Sequence, residues 1–226
     1  MSKCFIMAGI LCRSIFVCIL FGMRNRTGKP NLVLASKSPR RTALLKMVGI
    51  DHVVMPARSE EPVLFSSDEI IDEARAREIC CQLAESKAKE VASRFPGRIV
   101  CGADTIVVVE GRCFGKPEDE SDAKRMLRML SGKTHQVYTG LCLISNGHLL
   151  SDAVRTDVTF YPWSDEMETL VNTYADSGVP LDKAGAYGIQ DFGALLVERI
   201  EGDYYNVVGF PLATFWRLLA AFEETL

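Results

Sequence analysis

Histidine is scarce in this chain, three in 226 residues, and His135 has no second histidine or cysteine at metal-ligand spacing. A His/Cys zinc centre is therefore not expected, and His135 reads as a structural hydrogen-bonding residue. The eight cysteines, at 4, 12, 18, 80, 81, 101, 113 and 142, form no CxxC pair and mostly lie in apolar runs. They are expected to be buried, reduced thiols in a reducing compartment. No Ser/His/Asp set and no activated-cysteine motif supports covalent catalysis. The glycine-rich cradle and GK[ST] of a P-loop are absent. Basic residues are not in excess. The net charge of −3 gives no electrostatic case for a nucleic-acid partner. After Pro30 there is no internal repeat and no low-complexity linker.

What is present is an ordinary globular composition, 48% hydrophobic and 24% charged, long enough for a real core. The charge is uneven. Residues 1–29 hold five basic residues and no acid, so the remainder carries 21 basic against 29 acidic residues. An acidic body that binds an anion must concentrate its few cations locally or recruit a metal. Cys4 to Met23 is apolar apart from Gly, Arg13 and Ser14, and Arg24-Asn25-Arg26 follows. Arg13 divides this run into two stretches too short to span a bilayer separately. A signal peptide or membrane anchor, an organellar presequence, an upstream translation start and a docked helix all fit residues 1–29. The expectation is an N-terminal extension, residues 1–30, outside the fold, and one domain over 31–226. The body is expected to be cytoplasmic, unless residues 1–29 direct it to an organelle.

The hydrophobic pattern predicts a mixed α/β fold without a regular Rossmann order. Leu32–Ala35 reads as a buried strand. A helix follows with Ser38 as N-cap, Pro39 at its first position and Gly49 at its end. His52–Met55 is a second strand. The spacing of Ile70, Ile71, Ala74, Ile79 and Leu83 predicts a long helix from about Asp68 to Arg94. Arg98–Val109 and Arg112–Phe114 form a hairpin through Glu110-Gly111, and Glu118–Leu130 is helical. Thr134–Ile144 and Leu149–Phe160 are strands joined at Asn146-Gly147, a strong hairpin signal. Asp165–Ala175 is helical, Ala194–Ile200 a strand and Leu212–Phe222 a closing helix.

Four places carry candidate chemistry. Ser36-Lys37-Ser38-Pro39-Arg40-Arg41 lies at a strand-to-helix junction, where free N–H groups and the helix dipole favour an anion. Two arginines in a first turn oppose the usual preference for acids there, which makes sense if an anion sits between them. Asp104, in Gly102-Ala103-Asp104-Thr105, interrupts an apolar strand and is costly to bury unless paired or bound to metal. Lys116 follows a Gly on a rigid turn. Glu60 and Glu61, in the loop after the second strand, could join Asp104 around Mg²⁺. Lys87 lies on the long helix beside Glu85 and Glu90, where a surface ion pair explains it equally well. Finally, Asp182-Lys183-Ala184-Gly185-Ala186-Tyr187-Gly188-Ile189-Gln190 is rich in small residues that permit close backbone approach. Gln190 there offers an amide able to read the edge of a base.

The blocks LASKSPRRTALL, ESKAKEVA, GADTIVVVEGRCFGKPEDESDAKRMLRMLSGKTHQVYTG, DKAGAYGIQ and GDYYNVVGFPL, in this order, resemble the Maf family of nucleotide pyrophosphatases. The similarity runs from about Leu32 to Leu219. It implies an elongated, two-lobed, ITPase-like fold with a mixed twisted sheet and a central cleft, commonly a homodimer. It implies hydrolysis of a nucleoside triphosphate to the monophosphate and pyrophosphate by water attack at the α-phosphate, assisted by Mg²⁺ or Mn²⁺. By carry-over, Arg40 and Arg41 grip the triphosphate with Ser36 and Ser38 nearby. Glu60 or Glu61, Lys87, Asp104 and Lys116 make the metal and catalytic centre, with Asp104 activating the water. SPRR, ADT and GIQ resemble the branch acting on dTTP, UTP and modified pyrimidine nucleotides, which makes Thr105 and Gln190 base-selecting. Asp203 stands where many relatives have Ser. The competing expectation is a non-catalytic, nucleotide-sensing regulator of septum formation.

Overall fold

The computed structural model describes residues 31–58, 64–66 and 69–225. The N-terminal extension and the Glu60-Glu61 pair lie outside the described residues. Among the described residues, seven strands form one open sheet. They are β1 (Leu32–Leu34), β2 (His52–Val54), β3 (Ile99–Val109), β4 (Arg112–Phe114), β5 (Thr134–Ser145), β6 (His148–Phe160) and β7 (Val197–Glu201). Their order is β2-β1-β3-β5-β6-β7, with β4 also on β3. β1 runs parallel to β2 and β3, and the remaining pairs are antiparallel. The helices are α1 (Pro39–Met47), α2 (Glu73–Ala92), α3 (Glu120–Leu130), α4 (Asp165–Asp176), α5 (Tyr204–Val208) and α6 (Leu212–Glu223). Short 3₁₀ turns cover Val179–Asp182, Ala184–Ala186 and Phe192–Leu196.

The mixed sheet and both hairpins fall where the sequence places them. Asn146 and Gly147 take φ of 50° and 84°, and Glu110 and Gly111 take 51° and 75°, the paired positive values of a tight hairpin turn. Two elements start three or more residues later than expected, and one helix is added. The long helix begins at Glu73, not near Asp68, because the Asp72 carboxylate accepts the Arg75 N–H at 2.8 Å and caps it. Ile71 instead donates its N–H to Gly111 O at 2.8 Å, which ties that stretch to the β3–β4 turn. The last predicted strand starts at Val197, since Asp191 accepts the Gly193 N–H and initiates a 3₁₀ turn before it. Residues 204–208, to which the hydrophobic pattern assigns no element, form α5, capped by Asp203, which accepts from Tyr205 N at 2.8 Å. Ser and Asp are both good N-caps, so Asp203 does the work that Ser would do there.

One feature of the topology makes a site. β1 covers one edge of β3 only as far as Cys101, whose carbonyl accepts the Ala35 N–H at 2.8 Å. β4 covers the same edge from Val107 onward. Between them, residues 102–106 have no strand on that side among the described residues, just beyond the carboxyl end of a parallel strand. Ligands bind at such gaps in open sheets. The core divides at the same place. Ile99, Cys101 and Ala103 pack with α1 and α6, whereas Val107 and Val109 pack with α3 and α4.

α2 bridges the two halves across the opposite face. Ala84 and Ala88 join Val100 and Cys142, while Ile79, Cys80 and Leu83 join Ile106, Val108 and Tyr138. It lies unusually close to the sheet because β3 and β5 present glycines beneath it. A Cβ on Gly102 would fall 2.0 Å from the Ala84 carbonyl oxygen, and one on Gly140 would fall 2.3 Å from that of Cys80. Helix backbone cannot yield as a side chain can, and overpacking of this kind costs about 1–3 kcal/mol or more. Gly140→Ala is expected to lower unfolding free energy in urea by about 2 kcal/mol or more. Gly115→Ala, with nothing within 4 Å of the added methyl, should change it by no more than about 0.5 kcal/mol.

Candidate active site

The gap in the sheet edge opens into a cleft of about 730 Å³, within the range that holds a small-molecule ligand. Every described residue that the sequence nominates lines it: Ser36, Ser38, Arg40, Arg41, Lys87, Asp104, Thr105, Lys116 and Gln190. Among the described residues, six basic side chains and two acidic ones line this cleft, in a chain of net charge −3. Cations are therefore concentrated here against the overall sign.

Consecutive residues of a strand point to opposite faces, and β3 uses this to divide the site. Asp104 faces α2, where it forms a close ion pair with Lys87. Side-chain exposures of 13% and 16% mark the pair as largely desolvated. The ion pair of Lys87 with Asp104 is therefore not at the surface: α2 sits close enough to the sheet to carry its ammonium to Asp104. The Lys87 bond is on Asp104 Oδ1, and Oδ2 accepts no hydrogen bond from the described residues.

Thr105 faces the other way. Its Oγ1 accepts from Arg41 Nη2 at 3.2 Å and lies 2.9 Å from Thr139 Oγ1, directly across the β3–β5 ladder. Arg41 is buried and held in place from several sides. Nε donates to Gly209 O at 2.8 Å, and Nη1 donates to Ala103 O at 2.7 Å and to Ser36 Oγ at 3.0 Å. Ala103 O belongs to the uncovered edge of β3, so Arg41 satisfies part of the gap and ties α1, β3 and the α5–α6 turn together.

Arg40 differs. It is 25% exposed and pairs with Asp182 at 2.9 Å across the mouth of the cleft. A half-exposed pair of this kind is worth little in water, so an incoming phosphate competes for Arg40 at small cost. α1 begins just ahead of the two arginines, at Pro39. Ser38 makes no side-chain cap, and its own N–H bonds to Ser36 Oγ at 3.2 Å. The first turn contains no acid. Its N–H groups and dipole remain oriented toward an anion.

The far wall comes from the small-residue block. Gly185 N bonds to Gly115 O at 2.9 Å, which docks this block beside Lys116. Lys183, not singled out in the sequence, is buried and lines the cleft. Its Nζ donates to Val179 O at 2.5 Å and Asp182 Oδ1 at 2.6 Å, with Asp191 at 3.4 Å. Burial pushes the Asp182 carboxyl up, but hydrogen bonds from Lys183 and Arg40 outweigh it and hold the group below its usual range. Tyr174 and Asp191 fix the turn before the exposed Gln190, through Tyr174 OH to Asp191 at 2.7 Å and Gly188 N to Tyr174 OH at 3.0 Å. The signal for Lys183 was a lysine among small and apolar residues, a pattern that favours burial.

His135 is fully buried against Phe160, 2.8 Å from the Tyr187 hydroxyl through Nε2. Burial pushes its pKa down to about 3, so it is neutral and structural, as its isolation in the sequence implied. The described cysteines are unpaired, and burial pushes Cys101 and Cys113 up to about 12. Among the described residues no group of three His, Cys, Asp or Glu side chains is placed to hold a metal. No described helix is long and apolar enough to cross a membrane.

A profile of the Maf-like protein family matches residues 31–222. The chain is 46% identical over 187 residues to a dTTP/UTP pyrophosphatase of Thermococcus gammatolerans, covering 83% of this chain and 94% of the relative. It is 44% identical over 193 residues to the dTTP/UTP pyrophosphatase of Bacillus cereus, covering 85% and 95%. A third, from Latilactobacillus sakei, is 44% identical over 190 residues, covering 83% and 98%. The chain belongs to the Maf-like family, as the ordered sequence blocks indicated.

The two arginines should separate in experiment. Arg41→Ala strips charged donors from two buried carbonyls and is expected to cost about 3 kcal/mol in chemical denaturation. Arg40→Ala should cost no more than about 0.5 kcal/mol, the scale of an exposed pair.

Proposed function

We propose that this chain hydrolyses a pyrimidine nucleoside triphosphate, UTP or dTTP, to the monophosphate and pyrophosphate. The observation that carries the reading is the cation-rich cleft of an acidic protein with one desolvated carboxylate, Asp104, at its centre. The names of the relatives point to the same substrates.

In this reading the phosphates lie between the open start of α1, Arg40 and Lys116, where backbone and side-chain donors meet their charge. Arg41 and Ser36 hold that wall in shape. A water attacks the α-phosphorus in line. Its proton passes to Asp104 Oδ2, the new P–O bond forms, and the bond from the α-phosphorus to the bridging oxygen breaks with its electrons retained by pyrophosphate. Lys87 fixes the orientation of the Asp104 carboxylate and donates to the oxygen that does not take the proton. Thr105 and Gln190 face the base from two walls.

A divalent cation fits this donor set, because Mg²⁺ commonly uses one or two carboxylates and fills its shell with substrate phosphates and water. Asp104 would hold it with Glu60 or Glu61, which lie outside the described residues. When bound, such an ion would offset phosphate charge and make water a better nucleophile.

The test is release of pyrophosphate from a panel of nucleoside triphosphates, with and without chelator. UTP and dTTP are expected to be hydrolysed and EDTA to suppress it. No release from any of them is the outcome expected of a non-catalytic sensor. Asp104→Asn should lower kcat by roughly 10²-fold or more, the scale for loss of a general base. Near-normal turnover in that variant contradicts the role given to Asp104.

A further inference from the structure

A chain of hydroxyl groups beneath the cleft has a fixed direction. Arg41 Nη2 contacts Thr105 Oγ1 at 3.2 Å, and a guanidinium only donates. At the other end Thr139 Oγ1 lies 3.1 Å from Asn206 O, and a carbonyl only accepts. The proton of Thr139 is therefore spent on Asn206. The 2.9 Å contact between the two threonines must then run from Thr105 to Thr139. Thr139 is fully buried, so water cannot take over either bond. The acceptor is itself fixed, since Asn206 is fully buried and its Nδ2 donates to Val137 O and Thr156 Oγ1, each at 2.9 Å.

Thr105 is left with its one proton committed and one lone pair taken by Arg41. It is the part-exposed member of the series and lines the cleft. What it offers a ligand is a single acceptor. A uracil or thymine base has one N–H, at ring position 3. Cytosine has a lone pair there, which would meet the lone pair of Thr105.

We infer that Thr139 sets the base preference of this site by holding the Thr105 hydroxyl as an obligate acceptor, so that Thr105 receives the N3–H of uracil or thymine and repels the bare N3 of cytosine. Thr139 never touches the substrate and acts as a positioning residue. The inference rests on the proposed hydrolysis of UTP and dTTP and adds the residue that fixes its polarity. It is a mechanism of rejection as much as of attraction, which is what discrimination between two bases of equal size requires.

Thr139→Val keeps the shape and removes the acceptor, so the Thr105 hydroxyl becomes free to turn and donate. The kcat/KM ratio of UTP to CTP is expected to fall by about tenfold or more, with the change in KM and with kcat for UTP within about threefold. Thr139→Ser should restore the ratio. N3-methyl-UTP, which lacks the N–H, should be a poor substrate of the unaltered protein and no poorer for Thr139→Val. A purely structural role would lower both nucleotides together with the melting temperature and leave the ratio unchanged, which overturns the inference. So does equal hydrolysis of UTP and N3-methyl-UTP by the unaltered protein. If that protein releases no pyrophosphate from UTP, the underlying functional reading fails instead, and a changed ratio is not what is observed.

Discussion

The contact of α2 with two glycines of the sheet, Gly102 and Gly140, fixes the distance on which the rest depends. Ala84 and Cys80, one helical turn apart, place their carbonyls where ordinary side chains of β3 and β5 would stand. That approach brings Lys87 to Asp104 across a dry interface. It also lets one helix cover both halves of a divided core, so the gap along β3 does not let the halves separate. A bulkier residue at either glycine pushes α2 outward and with it the ammonium that orients the carboxylate. The packing term and the chemical term are the same few ångströms.

β3 separates the tasks by its pleat. Asp104 turns toward α2 and a charged partner, and Thr105 turns toward a neutral hydroxyl network that ends on α5. Arg41 spans the gap between them and meets the uncovered carbonyl of Ala103. This division explains why adjacent arginines differ. Arg40 is lightly held by an exposed carboxylate and is available to a ligand, while Arg41 is committed to backbone and threonine acceptors. A strand edge with no neighbour is a liability in most proteins. Here the unpaired stretch is short, is partly satisfied by Arg41, and forms the floor of the cleft.

Much of this was legible beforehand for definite reasons. Asp104 stood out because a charge inside Ile99–Val109 is costly unless used. The SPRR segment stood out because arginines at a helix start oppose the dipole. The hairpins followed from Asn146-Gly147 and Glu110-Gly111, whose backbone preferences are local. The helix from Glu73 was misplaced at its start because Ile70 and Ile71 continue the apolar spacing, and only the bond from Ile71 to Gly111 removes them from it. On spacing alone Lys87 read equally as a surface ion pair, because nothing local reveals how closely α2 lies on the sheet. Thr139 carried no signal, since a threonine in a strand is unremarkable until tertiary packing joins it to Asn206.

The central claim is that the cleft directs water to the α-phosphorus of a nucleoside triphosphate. Attack at the α- or the β-phosphorus releases the same two products, so product identity alone does not separate them. Hydrolysis of UTP in ¹⁸O-labelled water, followed by mass spectrometry of both products, does. The account predicts one labelled oxygen in UMP and none in pyrophosphate. Label in pyrophosphate with unlabelled UMP would contradict it.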